Sequence, residues 1–351
     1  MKKRRSTITL PITRHYGSKR NFVKAIWSAI AERGIEFDSI LDLFGGSGIV
    51  SYYMATKGKR VIFNDVMGFC CEMARALLCT PRGTLSEEDA LRLLVPQSGV
   101  DYRSVVADNF EGIYYLPQEN HQIDVAIQNI CRLPEEKRAA GLYILIQACL
   151  MKRPKLLFHR RDLCLRTDEA FRDHTNHITW EKSFEELFVY FAEHLNRFQF
   201  DVLPDVKITN TSALDNTERA DLVYIDPPYF NSSTPSASYH TRYHFLEGLL
   251  HYDIMENYIN HSLANHRVEL GRCAEFKLRK RFVRELTCLL EHHKESIIVL
   301  SYRADGYPSI EVLCDLVARF KPSVETIALG HQGYGLKTIT KGHDEMLIIG
   351  R

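Results

Sequence analysis

Apolar and polar positions along this chain follow two different rhythms, and the switch between them divides it. Ser39-Ile40-Leu41-Asp42-Leu43-Phe44 is a short apolar run of the kind a parallel sheet buries on both faces. After a cluster of glycines, Ile49, Val50, Tyr53 and Met54 recur at helical spacing. Arg60-Val61-Ile62-Phe63-Asn64-Asp65 reads as a second strand, and Met73-Ala74-Arg75-Ala76-Leu77-Leu78 as a second helix. This succession predicts a βαβ opening.

Beyond Thr80-Pro81-Arg82-Gly83 the strand rhythm stops, and residues 84–200 read as mainly helical. Ser86 with Asp89 forms a capping-box pattern ahead of a helix over Glu87–Leu94. A second helix is expected over Glu136–Met151. Phe184, Leu187, Phe188, Phe191, Leu195 and Phe198 make a long apolar stripe, read as core. Strand character returns at Asp205–Thr209, Leu222–Ile225, Ser296–Ser301 and Glu345–Ile349. The expected architecture is therefore α/β: a parallel sheet assembled from residues 1–83 and 201–351, interrupted by a helical insertion over 84–200. No internal repeat is present.

Composition narrows the class. The 351 residues are 45% hydrophobic and 25% charged, which excludes disordered and fibrous chains. A formal net charge of +1 means that any nucleic-acid surface must arise from local segregation of charge. Nine cysteines without CxxC spacing predict neither a disulfide framework nor a zinc site, and no metal is implied. Basic Met1–Arg5 is followed by no apolar signal core, so a cytoplasmic protein with no membrane span is expected.

Two motifs carry chemistry. In Asp42-Leu43-Phe44-Gly45-Gly46-Ser47-Gly48 the glycines permit a tight turn into a helix N-terminus beside a ligand. Asp65, about twenty residues on, stands where an acid accepts ribose hydroxyls. The bland reading of such a turn is structural punctuation. There is no Gly-Lys-Ser/Thr for a triphosphate, and the spacing departs from G-x-G-x-x-G. An adenosine ligand without phosphates, such as S-adenosyl-L-methionine, fits better.

The second motif is Asp226-Pro227-Pro228-Tyr229, directly after the apolar Leu222–Ile225. An exocyclic amine on adenine is a poor nucleophile because its lone pair is delocalised into the ring. The Asp226 carboxylate and the Pro227 carbonyl can accept its hydrogens, the two prolines fix the acceptors, and Tyr229 offers a stacking face. The bland reading is a capped Pro-Pro turn.

In these motifs and their order the chain resembles the D12 class of Dam-like DNA adenine-N6 methyltransferases. Tyr16-Gly17-Ser18-Lys19 is similar to the family's N-terminal motif, which helps hold the methionine part of the cofactor. Asp42–Gly48 resembles its cofactor loop, Asn64-Asp65 its ribose-binding acid, and Asp226–Tyr229 its catalytic motif. Tyr243–Glu247 and Leu300–Tyr302 also match family segments. The resemblance implies a Rossmann-like S-adenosylmethionine-dependent core, a target-recognition role for 84–200, double-stranded DNA as substrate with a flipped adenine, and a cognate restriction nuclease as a candidate partner. The family often places an acid before the catalytic strand to bind the cofactor adenine. Here Thr209-Asn210-Thr211-Ser212-Ala213 is neutral, leaving Ser212 or Asn210 as substitutes.

Within the insertion, Lys152, Arg153, Lys155, Arg160 and Arg161 flank Phe158, a composition suited to phosphate and base contacts. A second basic cluster from Arg267 to Arg284 is expected on one helix, with a solvated helix face as its bland alternative. Ser232–Ser238 suits a loop ordering over the flipped base. Two further readings stay open: RNA adenine methylation through the same slot, and a non-catalytic DNA-binding or cofactor-sensing module.

Overall fold

The computed structural model describes residues 9–153, 157–161, 167, 177–230, 239–271, 276–332 and 343–351. In chain order, α1 (Val23–Ala31), β1 (Ser39–Asp42), α2 (Ile49–Thr56), β2 (Arg60–Asn64) and α3 (Gly68–Leu78) form the opening. The helical block comprises α4 (Glu87–Arg92), α5 (Val105–Asn109), α6 (Pro117–Cys131), α7 (Glu135–Met151), α8 (His177–Glu181) and α9 (Phe184–Phe198). Then come β3 (Val206–Thr209), β4 (Leu222–Ile225), α10 (Tyr239–Leu250), β5 (Ile259–Asn260), β6 (Arg267–Val268) and α11 (Arg279–His292). The chain closes with β7 (Ile297–Arg303), α12 (Ile310–Ala318), β8 (Val324–Gln332) and β9 (His343–Gly350).

Seven strands make one sheet in the order β3-β2-β1-β4-β7-β9-β8. Pairing is parallel from β3 to β7, then antiparallel at β7–β9 and β9–β8. Successive strands step outward from β1 in one direction to β3 and resume on its other side at β4. That reversal opens a crevice beyond the carboxyl ends of β1 and β4, the usual ligand position in such sheets. It is also where both chemical motifs emerge.

Alternation along each strand builds two cores. Ile40, Val61, Phe63 and Tyr224 face α1, α2 and α3, while Leu41, Ile62, Val223 and Ile225 face Phe282 and Leu286 of α11 and Leu313 of α12. Among the described residues the helical block shares its core with the sheet: α7 packs on α3, and one apolar cluster runs from Val61 to Phe191. Phe184, Leu187, Phe188, Phe191, Leu195 and Phe198 are all buried in it, as their stripe predicts. The Ser86–Asp89 capping box forms as well, with Ser86 Oγ accepting the Asp89 N–H at 3.0 Å.

Three features escape the pattern. α1 precedes the first apolar run read as a strand. α6 buries Asn120, Asp124, Gln128 and Asn129 on what a hydropathy reading takes as polar positions. β8 is an edge strand whose alternation is broken by a bulge between Ala328 and Gly330. The basic stretch from Arg267 is not one helix: Arg267 pairs in β6, Arg279–Arg284 lie in α11, and Arg272 is outside the described residues. Among the described residues no helix is long and apolar enough to cross a membrane.

Candidate active site

The loop after β1 is shaped by glycine where nothing else fits. A Cβ on Gly45 would lie 2.0 Å from the Phe63 ring, and Gly46 and Gly48 adopt φ of 49° and 70°. Asp65, at the end of β2, holds this loop in place: its Oδ2 accepts the Gly46 N–H and its Oδ1 the Met67 N–H, both at 2.8 Å. Asp42, at the end of β1, is buried and accepts the Ser51 hydroxyl at 2.7 Å. Loss of solvent pushes both carboxyls up, Asp42 to about 7 and Asp65 to about 6.

A cavity of about 180 Å³ opens beside this loop. Tyr16, Lys19, Asp42, Phe44, Gly45, Gly46, Ser47 and Asp65 line it from the cofactor-motif side, and Asp226, Pro228 and Tyr229 from the other. Gly48 instead caps α2, and Pro227 is buried and does not line the cavity. Ser212 turns its hydroxyl to the Leu214 N–H at 3.1 Å, while its neighbour Ala213 reaches the cavity. Asn210 spends its amide on the Asp65 carbonyl at 2.7 Å.

The far corner is a dense polar network. Lys19 Nζ lies 2.9 Å from Asp226 Oδ2 and 3.4 Å from Glu345 Oε1, and bonds the Tyr229 hydroxyl. That hydroxyl reaches Asp226 Oδ1 at 2.5 Å and Glu345 Oε1 at 3.0 Å. Burial raises the Asp226 pKa; Lys19 opposes the shift and Glu345 adds to it. The Tyr229 ring packs edge-on against Tyr302, with centroids 5.0 Å apart. Asp226 and Glu345 thus flank the buried Lys19 ammonium, while Asp42 and Asp65 line the same cavity on the side of the glycine loop. The carboxylates beside the glycine loop suit a ligand bearing positive charge or hydroxyl groups on that side.

His15, Tyr239, Phe276 and Glu345 belong to the site yet were not singled out from the sequence. His15 packs near-parallel to both Tyr239 and Tyr243, with centroids 5.6 and 5.1 Å away, and burial lowers its pKa to about 4, so the ring is neutral. Phe276 meets Phe44 edge-on at 5.2 Å. Glu345 alone had a local signal: a carboxylate opening an otherwise apolar strand.

The basic segment of the insertion needs correcting. Lys152 and Arg153 are 2% and 1% exposed and are not available to a phosphate. Lys152 pairs with Glu119 at 2.8 Å and bonds the Trp180 and Lys182 carbonyls. Arg153 bonds the Leu157 carbonyl at 2.9 Å and covers the Tyr114 and Phe158 rings. Both are internal braces. Arg160 and Arg161 are exposed, whereas Lys155 and the Ser232–Ser238 stretch lie outside the described residues. The segment does approach the cavity: the Phe158 N–H bonds the Arg242 carbonyl at 2.8 Å, and the Arg242 guanidinium lies 4.3 Å over the Tyr16 ring.

The chain is 23% identical over 276 residues to the type II methyltransferase M2.HphI of Haemophilus parahaemolyticus, covering 74% of this chain and 77% of that protein. Residues 15–303 match the family described as D12 class N6 adenine-specific DNA methyltransferase, which takes in both the glycine loop and Asp226–Tyr229. On that match over most of its length, the chain belongs to the D12 class of N6 adenine-specific DNA methyltransferases and is a DNA adenine methyltransferase.

Proposed function

We propose that the site moves a methyl group from S-adenosyl-L-methionine to N6 of an adenine extruded from double-stranded DNA, with Asp226–Tyr229 as the catalytic segment. What carries this reading is one cavity that joins the two motifs, acid-lined on the side of the glycine loop and bounded on the other by Asp226, Pro228 and Tyr229. When bound, S-adenosyl-L-methionine supplies an electrophilic methyl carried on a sulfonium. Asp42 and Asp65 would hold its cationic and hydroxyl groups, with Phe44 against its apolar surface and Tyr16, Gly45, Gly46 and Ser47 completing the cradle.

Asp226 then accepts one hydrogen of the adenine amine and the Pro227 carbonyl the other, which localises the nitrogen lone pair for attack. The backbone between them is fixed by two prolines, so these acceptors need little reorganisation. The Tyr229 ring gives the extruded base a face to rest on, worth roughly 1–3 kcal/mol. After transfer the nitrogen must lose a proton. Asp226, with its pKa raised by burial, is suited to receive it.

Residues 84–200 act as the target-recognition unit in this reading, with exposed Arg160 and Arg161 on DNA phosphates. A cognate restriction nuclease is the natural partner, as the type II relative suggests, and the enzyme works in the cytoplasm on nucleoid DNA. The test supplies purified protein with labelled S-adenosyl-L-methionine and either unmethylated genomic DNA or RNA, followed by position-resolved sequencing of N6-methyladenine. Label at one recurrent DNA sequence, lost in Asp226→Ala, is the expected result. Label in RNA alone, or normal turnover by Asp226→Ala, would refute it.

A further inference from the structure

Asp226 has a problem of occupancy. Both its carboxylate oxygens are already engaged, Oδ1 by the Tyr229 hydroxyl at 2.5 Å and Oδ2 by Lys19 at 2.9 Å. An incoming amine must share an oxygen with one of these donors or displace it, and a donor displaced in this buried corner without another acceptor is costly. Glu345 offers the alternative. Its Oε1 lies 3.0 Å from the same tyrosine oxygen and 3.4 Å from the same ammonium.

The hydrogens support this exchange. Tyr229 has one hydroxyl hydrogen and two carboxylates within reach of it, so it can serve only one at a time. The shorter contact gives it to Asp226. Lys19 has three hydrogens, enough for Asp226, Glu345 and the tyrosine oxygen together.

Glu345 is fixed for such a role. It is 0% exposed, and Ser301 Oγ donates to its Oε1 at 2.5 Å. It pairs across the sheet with Arg303 of β7 and Gly330 of β8, at the bulge in β8. Bulges commonly re-aim a side chain. Glu345 also lies outside residues 15–303, the segment that carries the family match.

We propose that Glu345 is a positioning residue for methyl transfer, taking over the Tyr229 hydroxyl and Lys19 when the adenine amine claims Asp226. The inference rests on Asp226 being the acceptor for that amine. Glu345→Gln keeps the shape and one acceptor oxygen but removes the charge, so Lys19 is drawn more tightly onto Asp226.

The experiment measures single-turnover methylation of an adenine-containing duplex, alongside cofactor and DNA dissociation constants, for Glu345→Gln, Tyr229→Phe, their combination, Ser301→Ala and Asp226→Ala. The expected result for Glu345→Gln is a rate loss of roughly ten- to a hundredfold, with both dissociation constants within about threefold of the parent. In Tyr229→Phe the ring remains but there is no hydroxyl to relocate, so adding Glu345→Gln should cost less than it does alone. Ser301→Ala leaves every charge in place and should slow transfer by a few fold, and by less when combined with Tyr229→Phe, which keeps the test open if Glu345→Gln does not fold. An unchanged rate in Glu345→Gln, additivity with Tyr229→Phe, or loss confined to binding and thermal stability would overturn the proposal while leaving Asp226 untouched. Normal turnover by Asp226→Ala would remove its foundation as well.

Discussion

Replacing Lys152 by methionine separates an internal brace from a DNA contact. At 2.8 Å the Lys152–Glu119 pair has about 6 kcal/mol of gross attraction at an effective dielectric of ~20. Desolvation offsets most of that in the intact pair, but removing one partner leaves the other charge buried, at a cost of about 3–5 kcal/mol. Lys152 also bonds the Trp180 and Lys182 carbonyls, tying the end of α7 to the segment entering α9, so the loss should fall toward the upper end. At roughly 1.4 °C per kcal/mol for a chain of this size, the melting temperature should drop by about 4–7 °C. Removing the orphaned carboxylate too, in Lys152→Met/Glu119→Gln, should recover most of it. The assay is thermal unfolding of the three proteins, with DNA affinity measured against salt concentration. A phosphate contact predicts the opposite pattern: unchanged melting and a salt slope smaller by about one. That result would refute the placement of Lys152 in the core.

Two further outcomes follow from the cavity. Asp42, held near pKa 7 by burial, ionises less readily in the fold than in the unfolded chain, so the unliganded protein loses stability as pH rises from about 4 to 7. A cation bound against it favours the ionised form, so calorimetric affinity for S-adenosyl-L-methionine should rise about tenfold between pH 6 and 7.5, and flatten in Asp42→Asn. An equal pH dependence in Asp42→Asn would exclude Asp42 as its source. Gly45→Ala forces a methyl into the Phe63 ring at 2.0 Å, an overpacking of roughly 1–3 kcal/mol that must also displace the loop. Cofactor affinity should fall at least tenfold, and Phe63→Leu in the same protein should restore part of it; full activity of Gly45→Ala would contradict the loop geometry.

What the chain determines by itself is local. Strand and helix periods, the glycines of a strand-to-helix turn and the prolines behind Asp226 are properties of neighbouring residues, and each strand read from 39 to 65 and from 205 to 225 forms within a residue or two. The cofactor loop and catalytic segment were legible because their chemistry is compressed into eight residues or fewer. Lys152 and Arg153 show where that stops. A basic side chain is written identically whether it ends in solvent or in a lattice of carbonyls, and only the packing of α6, α7 and α9 around it decides. Glu345 shows the converse: its meaning comes from Lys19 and Tyr229, and no periodic pattern joins residues 116 or more positions apart. Sheet order brought them together. β9 inserts antiparallel between β7 and β8, which places the acid of the last strand against the lysine that precedes the first helix. Linear sequence encodes the reach of each hydrogen-bonding group, and the tertiary fold sets which groups come within it.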